Sequence, residues 1–211
     1  LLNEVDWELE KRGIAFVRYA DDCNAYFRSK RAAGDAMITL EKLFGRLKLK
    51  INHKKSAVGH VRDRKFLGYQ FWIAPGRVAK RAVAPQSLNK FKNKIRQLTS
   101  MTGGRSLEQI IQKLEVYLLG WRNYFQLADT PRVFSKLDSW IRRRLRMVLL
   151  KQWKQGPTCY RELVVRGLSS SAATSIASAC GSYWKMAGTS GMNISFPNSY
   201  FDELGLSRLK A

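Results

Sequence analysis

Histidine, cysteine, proline and acid are all scarce in this chain. It has 2 His, 3 Cys and 5 Pro in 211 residues. The cysteines, Cys23, Cys159 and Cys180, are widely spaced, odd in number and form no Cys-x-x-Cys pair. That pattern argues against both a zinc knuckle and a disulfide framework, and it fits a reducing cytosol. No apolar run reaches membrane-spanning length, so no membrane partner is expected. Residue 1 is Leu, and no signal-peptide pattern follows it, so the chain is expected to begin inside a longer protein. There is no internal repeat and no low-complexity tract. Acid is the most telling shortage: 16 Asp and Glu stand against 38 Lys and Arg, a net charge of +22. A charge of that size favours a polyanionic partner, of which nucleic acid is the commonest. A generic basic protein of ribosomal type would share the charge, but not the aromatic content and the long helical patterns found here.

Two of the few acids are adjacent. Asp21 and Asp22 lie between Phe16, Val17 and Tyr19 on one side and Tyr26 and Phe27 on the other. Strand-forming runs around a short polar break predict a β-hairpin with both acids at its tip. Paired carboxylates on a rigid turn are suited to divalent metal, as in a two-metal phosphoryl-transfer site; an ordinary Asp-containing turn is the plainer reading. Ahead of them, Glu4, Asp6, Glu8 and Glu10 alternate with Leu2, Val5 and Leu9 as on an amphipathic helix, and they read as its solvated face.

An ordered series follows. Met37, Leu40, Phe44 and Leu47 fall on one face of a helix over 31–49. Residues 49–56, Leu-Lys-Ile-Asn-His-Lys-Lys-Ser, predict a short strand running into a basic turn, and 65–72 an aromatic strand. Basic residues crowd around that strand: Arg62, Arg64, Lys65, Arg77, Lys80 and Arg81. With only Asp63 opposing them, they favour phosphate contact. Pro75-Gly76 signals a turn, and Pro85 opens a different region. Three amphipathic helices are expected there. The first is capped near Ser87 and ended by Gly103-Gly104. The second starts at a capping box of Ser106 and Gln109. The third starts at Thr130-Pro131 and carries Leu137, Trp140, Ile141 and Leu145. Trp121 and Trp140 sit at core spacing. Gly156-Pro157 ends the third helix. Short helices are expected over 159–165 and 172–179, a loop over 186–197, and a last helical turn near Phe201.

Taken in order, Tyr19-Ala-Asp-Asp22, the helix after it, Asn52-His-Lys-Lys-Ser56 and Phe66-Leu-Gly68 resemble the second half of a reverse transcriptase palm. The lead-in over residues 2–13 resembles the segment before the catalytic hairpin in group II intron reverse transcriptases. Gly120-Trp-Arg-Asn-Tyr-Phe125 and Leu137-Asp-Ser-Trp-Ile-Arg-Arg-Arg-Leu145 resemble that family's maturase-specific region. The resemblance implies an α+β fold with a partial palm of antiparallel hairpins plus helix over 1–83. An all-α three-helix thumb follows over 84–155, then a small, mostly helical tail over 156–211, a region sometimes implicated in binding target DNA. It implies Mg²⁺ at a two-metal site held by Asp21 and Asp22 and completed by an upstream aspartate outside this chain. Lys55, or Lys54 beside it, would neutralise or protonate the departing pyrophosphate. Tyr19 and Ala20 would lie near the primer terminus, and Lys65, Phe66, Leu67 and Gly68 would grip the primer. Arg122, Tyr124, Arg142, Arg143, Arg144 and Arg146 would meet nucleic acid, since consecutive arginines span too much of a helix to serve one salt-bridge partner.

The function so implied is RNA-directed DNA polymerase and splicing maturase. Its partners would be structured intron RNA, an RNA template with a DNA primer, deoxynucleoside triphosphates and target DNA, in the bacterial cytoplasm and at the nucleoid. Because the third aspartate is expected upstream, this chain by itself is expected not to polymerise. Two alternatives stay open: a non-catalytic RNA-binding maturase, and a related bacterial reverse transcriptase of phage defence or CRISPR systems. No histidine-asparagine or zinc-type nuclease pattern follows residue 190, so an appended endonuclease is not expected within the chain.

Overall fold

The computed structural model describes residues 2–53, 55–100, 104–179 and 181–210, and these divide into two compact units at Lys80–Arg81. The expected boundary near residue 83 lies close to this division. No comparable division falls at 155, and residues 156–210 belong to the same unit as the three helices before them.

The first unit opens with helix α1 (Leu2–Lys11), which buries Val5 and Leu9 and leaves Glu4 and Glu10 in solvent. Strands β1 (Ala15–Tyr19) and β2 (Asp22–Tyr26) form an antiparallel hairpin with Tyr19 opposite Asp22. Helix α2 (Lys30–Arg46) starts at Ser29, whose hydroxyl accepts from the Ala32 amide. Its apolar face, with Met37, Leu40 and Phe44, is half-buried, and no residue of α2 is fully buried. Residues 49–53 form no strand, contrary to expectation. The chain there turns on Asn52, whose carbonyl accepts from the amides of Lys55 (2.9 Å) and Ser56 (2.8 Å). The segment 65–72, one aromatic strand by its residue pattern alone, is a second hairpin, in line with the antiparallel hairpins that the resemblance implied. Strand β3 (Lys65–Phe66) pairs with β4 (Tyr69–Ala74) across Leu67 and Gly68. Both of those residues have positive φ, +50° and +79°, the backbone that a tight two-residue hairpin turn demands. Strand β5 (Val78–Val83) completes a sheet of order β3-β4-β5.

The second unit is helical. Helix α3 (Pro85–Leu98) begins one turn earlier than its Ser87 suggested, because Pro85 takes the first helical position, where its missing N–H costs nothing. It ends on Thr99, ahead of the expected glycines, of which Gly103 lies outside the described residues. Helix α4 (Leu107–Tyr124) carries the expected reciprocal capping box of Ser106 and Gln109. Helix α5 (Pro131–Trp153) has Pro131 at its start, although the Thr130 hydroxyl makes no cap and is buried without a partner. Phe91 packs on Trp121 at 4.3 Å between ring centroids, and Trp121 also meets Phe125 and the edge of Phe134. Ile95, Leu114, Leu118, Ile141 and Leu145 fill the remaining core, each worth about 1.5–3 kcal/mol once removed from water.

The tail is α6 (Gly156–Val165), α7 (Ser170–Ser178), α8 (Tyr183–Met186), α9 (Ser190–Ser195) and α10 (Asn198–Glu203). The expected loop over 186–197 therefore contains a helix. Thr189 caps α9 through its hydroxyl, and Met192 and Phe196 reach the core fully buried. Small polar residues hid this segment's periodicity. Carboxylates pin the chain end to the long helices. The Leu209 amide donates to Asp138 at 2.9 Å, and the Ser207 amide donates to Glu115 at 2.6 Å.

Candidate active site and nucleic-acid interface

The hairpin tip is built by a two-residue turn, Ala20 and Asp21, between β1 and β2. Ala20 sits at φ +53°, a conformation that costs an alanine energy and needs support from its surroundings. Arg18 supplies that support. Its Nη1 donates to the Ala20 carbonyl at 3.1 Å, and its Nε donates to Asp6 Oδ1 at 2.7 Å. The Nη2 group bonds the other oxygen of Asp6, so the carboxylate is gripped from both sides. This hydrogen-bonded guanidinium holds the Asp6 carboxyl below its ordinary value. One strut therefore ties α1 to β1 and to the turn that carries Asp21. The sequence pattern did not single out Arg18, since a lone arginine inside a strand has no signature.

Asp21, Asp22, Tyr19 and Ala20 are all exposed at this tip. Asp22 and Tyr19 are cross-strand partners, which brings the tyrosine beside the acids. Two carboxylates offer hard oxygen donors, the chemistry that Mg²⁺ prefers. Among the described residues no His, Cys, Asp or Glu joins them in a group of three that could hold a metal. Asp6, an upstream acid on α1, is committed to Arg18. The pair thus fits part of a metal site. Lys55 is exposed on the Asn52 turn and makes no ion pair with either acid; Lys54 lies outside the described residues. In the second hairpin Lys65 is exposed, while Phe66, Leu67 and Gly68 are half-buried.

The arginines of the second unit divide sharply. Arg142 is 1% exposed; it bonds Asp202 and lies 3.6 Å from Asp138. Arg146 is also buried, donating to the Phe196 carbonyl at 2.8 Å and to Asn198 at 3.0 Å. Burial, and then the neighbouring Arg142 charge, push Arg146 down to about 10, so it remains charged at neutral pH. Arg143 stacks on the Trp184 ring at 4.2 Å and donates to the Trp184 carbonyl at 2.8 Å. These three guanidinium groups hold the tail against α5, where the sequence had suggested contact with nucleic acid. Arg144 is half-exposed, with Nε on the Thr99 hydroxyl at 2.8 Å. Arg122 reaches the Arg208 carbonyl at 3.2 Å, and Tyr124 is exposed.

Two family models match the chain. The model for reverse transcriptase (RNA-dependent DNA polymerase) covers residues 1–71, and that for the group II intron maturase-specific domain covers residues 88–166. The first takes in the carboxylate hairpin and the second spans α3 to α6, in the order the motifs suggested. The chain belongs to the group II intron reverse transcriptase and maturase family. A comparison with curated proteins finds no match. The activity of this reverse transcriptase family is RNA-directed DNA synthesis, for which it generally uses Mg²⁺. Its maturase and polymerase domains act on intron RNA and on template and primer. Among the described residues no helix is long and apolar enough to cross a membrane.

Proposed function

We propose that this chain supplies the carboxylate hairpin of a two-Mg²⁺ polymerase site together with a helical unit that binds structured intron RNA. The observation that carries the reading is the exposed Asp21-Asp22 pair on a two-residue turn braced by Arg18. Bound Mg²⁺ would supply charge neutralisation for nucleotidyl transfer. Asp21 would be the principal ligand, Asp22 a supporting one, and an aspartate from outside residues 1–211 the third. Tyr19, with Ala20 beside it, stands at the tip to meet the primer end. Lys55 offers an ammonium to the departing pyrophosphate. Phe66, Leu67 and Gly68 place a tight turn where backbone can approach backbone, and Lys65 gives it a positive charge.

Two acids alone hold Mg²⁺ loosely, because the ion demands near-octahedral order and dehydrates reluctantly. The expected outcome is that the 211-residue chain binds RNA in a filter assay but gives no Mg²⁺-dependent primer extension. In the complete protein, Asp21→Asn should abolish DNA synthesis and leave RNA affinity within about twofold, because no phosphate contact is lost. Robust extension by the chain alone would place a third ligand within it. Equal loss of synthesis and RNA affinity would make Asp21 a structural residue.

A further inference from the structure

We infer that Arg96 and Arg144 form a notch on the α3–α5 face that takes a backbone phosphodiester of RNA. This rests on the reading that the helical unit binds RNA, and it assigns that binding a place. Both guanidinium groups lie over the same indole, with Arg144 Cζ at 5.5 Å and Arg96 Cζ at 5.7 Å from the centre of the Trp140 ring. Neither forms an ion pair with any carboxylate among the described residues, although ion pairs occupy Arg81, Arg142, Arg166 and Arg208 in the same unit. Acids on the neighbouring elements are absent or committed elsewhere. Helix α3 contains none, and Asp138, the one acid of α5, is bound to the Leu209 and Lys210 amides. Glu115 holds Ser207, and Asp129 holds Arg81.

The notch is also positioned. Thr99, 1% exposed, donates its hydroxyl proton to the Ile95 carbonyl at 2.7 Å and accepts from Arg144 Nε. That leaves the outer edge of the Arg144 guanidinium, both Nη groups, with no protein acceptor among the described residues. Arg96 is steadied by Asn93 at 2.7 Å and is exposed. Burial, and then the Arg96 charge, hold Arg144 below its ordinary value, so the folded protein keeps two like charges close without an internal counterion. An anion bridging them would relieve that repulsion. Arginine's planar donor fork suits the paired oxygens of a phosphodiester, and the Trp140 ring attracts both cations to one place.

The test measures binding of a labelled stem-loop RNA to the 211-residue chain across a salt series. Arg96→Gln leaves the Arg144–Thr99 bond in place, and Arg144→Gln removes the inner member of the notch. Each should flatten the slope of log affinity against log salt by about 0.9, the share of one phosphate, and weaken binding about eightfold near 0.1 M salt, and the double variant should lose little more, because both arginines serve the same phosphate. Arg12→Gln removes the same charge from an arginine already paired with Glu8 and should change neither. Unchanged slopes for Arg96→Gln and Arg144→Gln, while the unaltered chain binds RNA, would overturn the notch alone. An equal loss in Arg12→Gln would also overturn it, since the effect would then be one of net charge. Absence of RNA binding by the unaltered chain would overturn both the notch and the reading beneath it.

Discussion

The two units are stabilised in different ways. In residues 2–80 the buried apolar side chains are Val5 and Leu9, and α2 keeps its apolar face only half-covered. The unit is organised by turns, a cap and the Asp6–Arg18 strut. In residues 81–210 an aromatic cluster around Trp121 and an aliphatic layer along α4 and α5 are closed over by the tail. Among the described residues buried charge lies in this second unit: Arg142, Arg146 and Asp138 sit among the apolar residues. A charge removed from water must find partners inside; for the two arginines these are side chains and a carbonyl 50 to 60 residues downstream, and for Asp138 the amides of Leu209 and Lys210. The first unit ties Asp6 to Arg18 but keeps Asp21 and Asp22 in solvent. The second spends most of its acids internally, as an anion-binding surface can.

Paired core truncations would break or sharpen this contrast most. Phe91→Ala should cost about 3–5 kcal/mol, since Phe91 is fully buried against Trp121 and Tyr117. Phe44→Ala on half-covered α2 should cost about 1–2 kcal/mol. Urea denaturation read by hydrogen exchange in each unit separates the two, and equal costs would end the distinction.

Acid comes next in size. Burial alone would raise the Asp202 carboxyl, but hydrogen bonds from Arg208 and Arg142 leave it below its ordinary value near 3.8. A carboxylate depressed in the folded state contributes stability above that ordinary value, and the contribution is lost as pH falls through the folded one. Asp202→Asn should therefore lower stability at neutral pH by about 1–3 kcal/mol and flatten its decline below about pH 4. Asp6, lowered by Arg18, has the same sign in the first unit. Thermal melts across pH would show both, and an unchanged pH profile for Asp202→Asn would mean that the Arg142 pairing adds nothing.

The smallest effect concerns local signals. Ser106→Ala removes the acceptor for the Gln109 amide and should cost about 1 kcal/mol by urea titration. A larger loss would mean that the cap also fixes the approach of α3 to α4.

The carboxylate hairpin was legible because its signals are local. Strand-forming residues flank Asp21 and Asp22, and a two-residue turn permits a single register. The capping box before α4, the proline starts of α3 and α5 and the aromatic spacing of Trp121 were legible for the same reason: each depends on residues within about one helical turn of each other. The second hairpin followed from the resemblance at Phe66-Leu67-Gly68 but not from the residue pattern alone, because its turn is Leu67-Gly68, a pair without the usual Asn or Asp. The helix over 190–195 was missed because glycine, serine and asparagine dilute its pattern.

By itself, then, the sequence determined most of the elements, their order, the acid pair at a hairpin tip and the excess positive charge. Only the tertiary structure decided which charges are free. Arg142, Arg143, Arg144 and Arg146 are close to equivalent as a string, and a helix carries them around most of its circumference. Asp202, Trp184, Phe196 and Asn198 arrive from the tail to claim three of them. Arg144 points instead toward Thr99 and the acid-free helix α3. A guanidinium's partner is set by which acceptor the fold brings within about 3 Å, and no local pattern encodes contacts made across tens of residues.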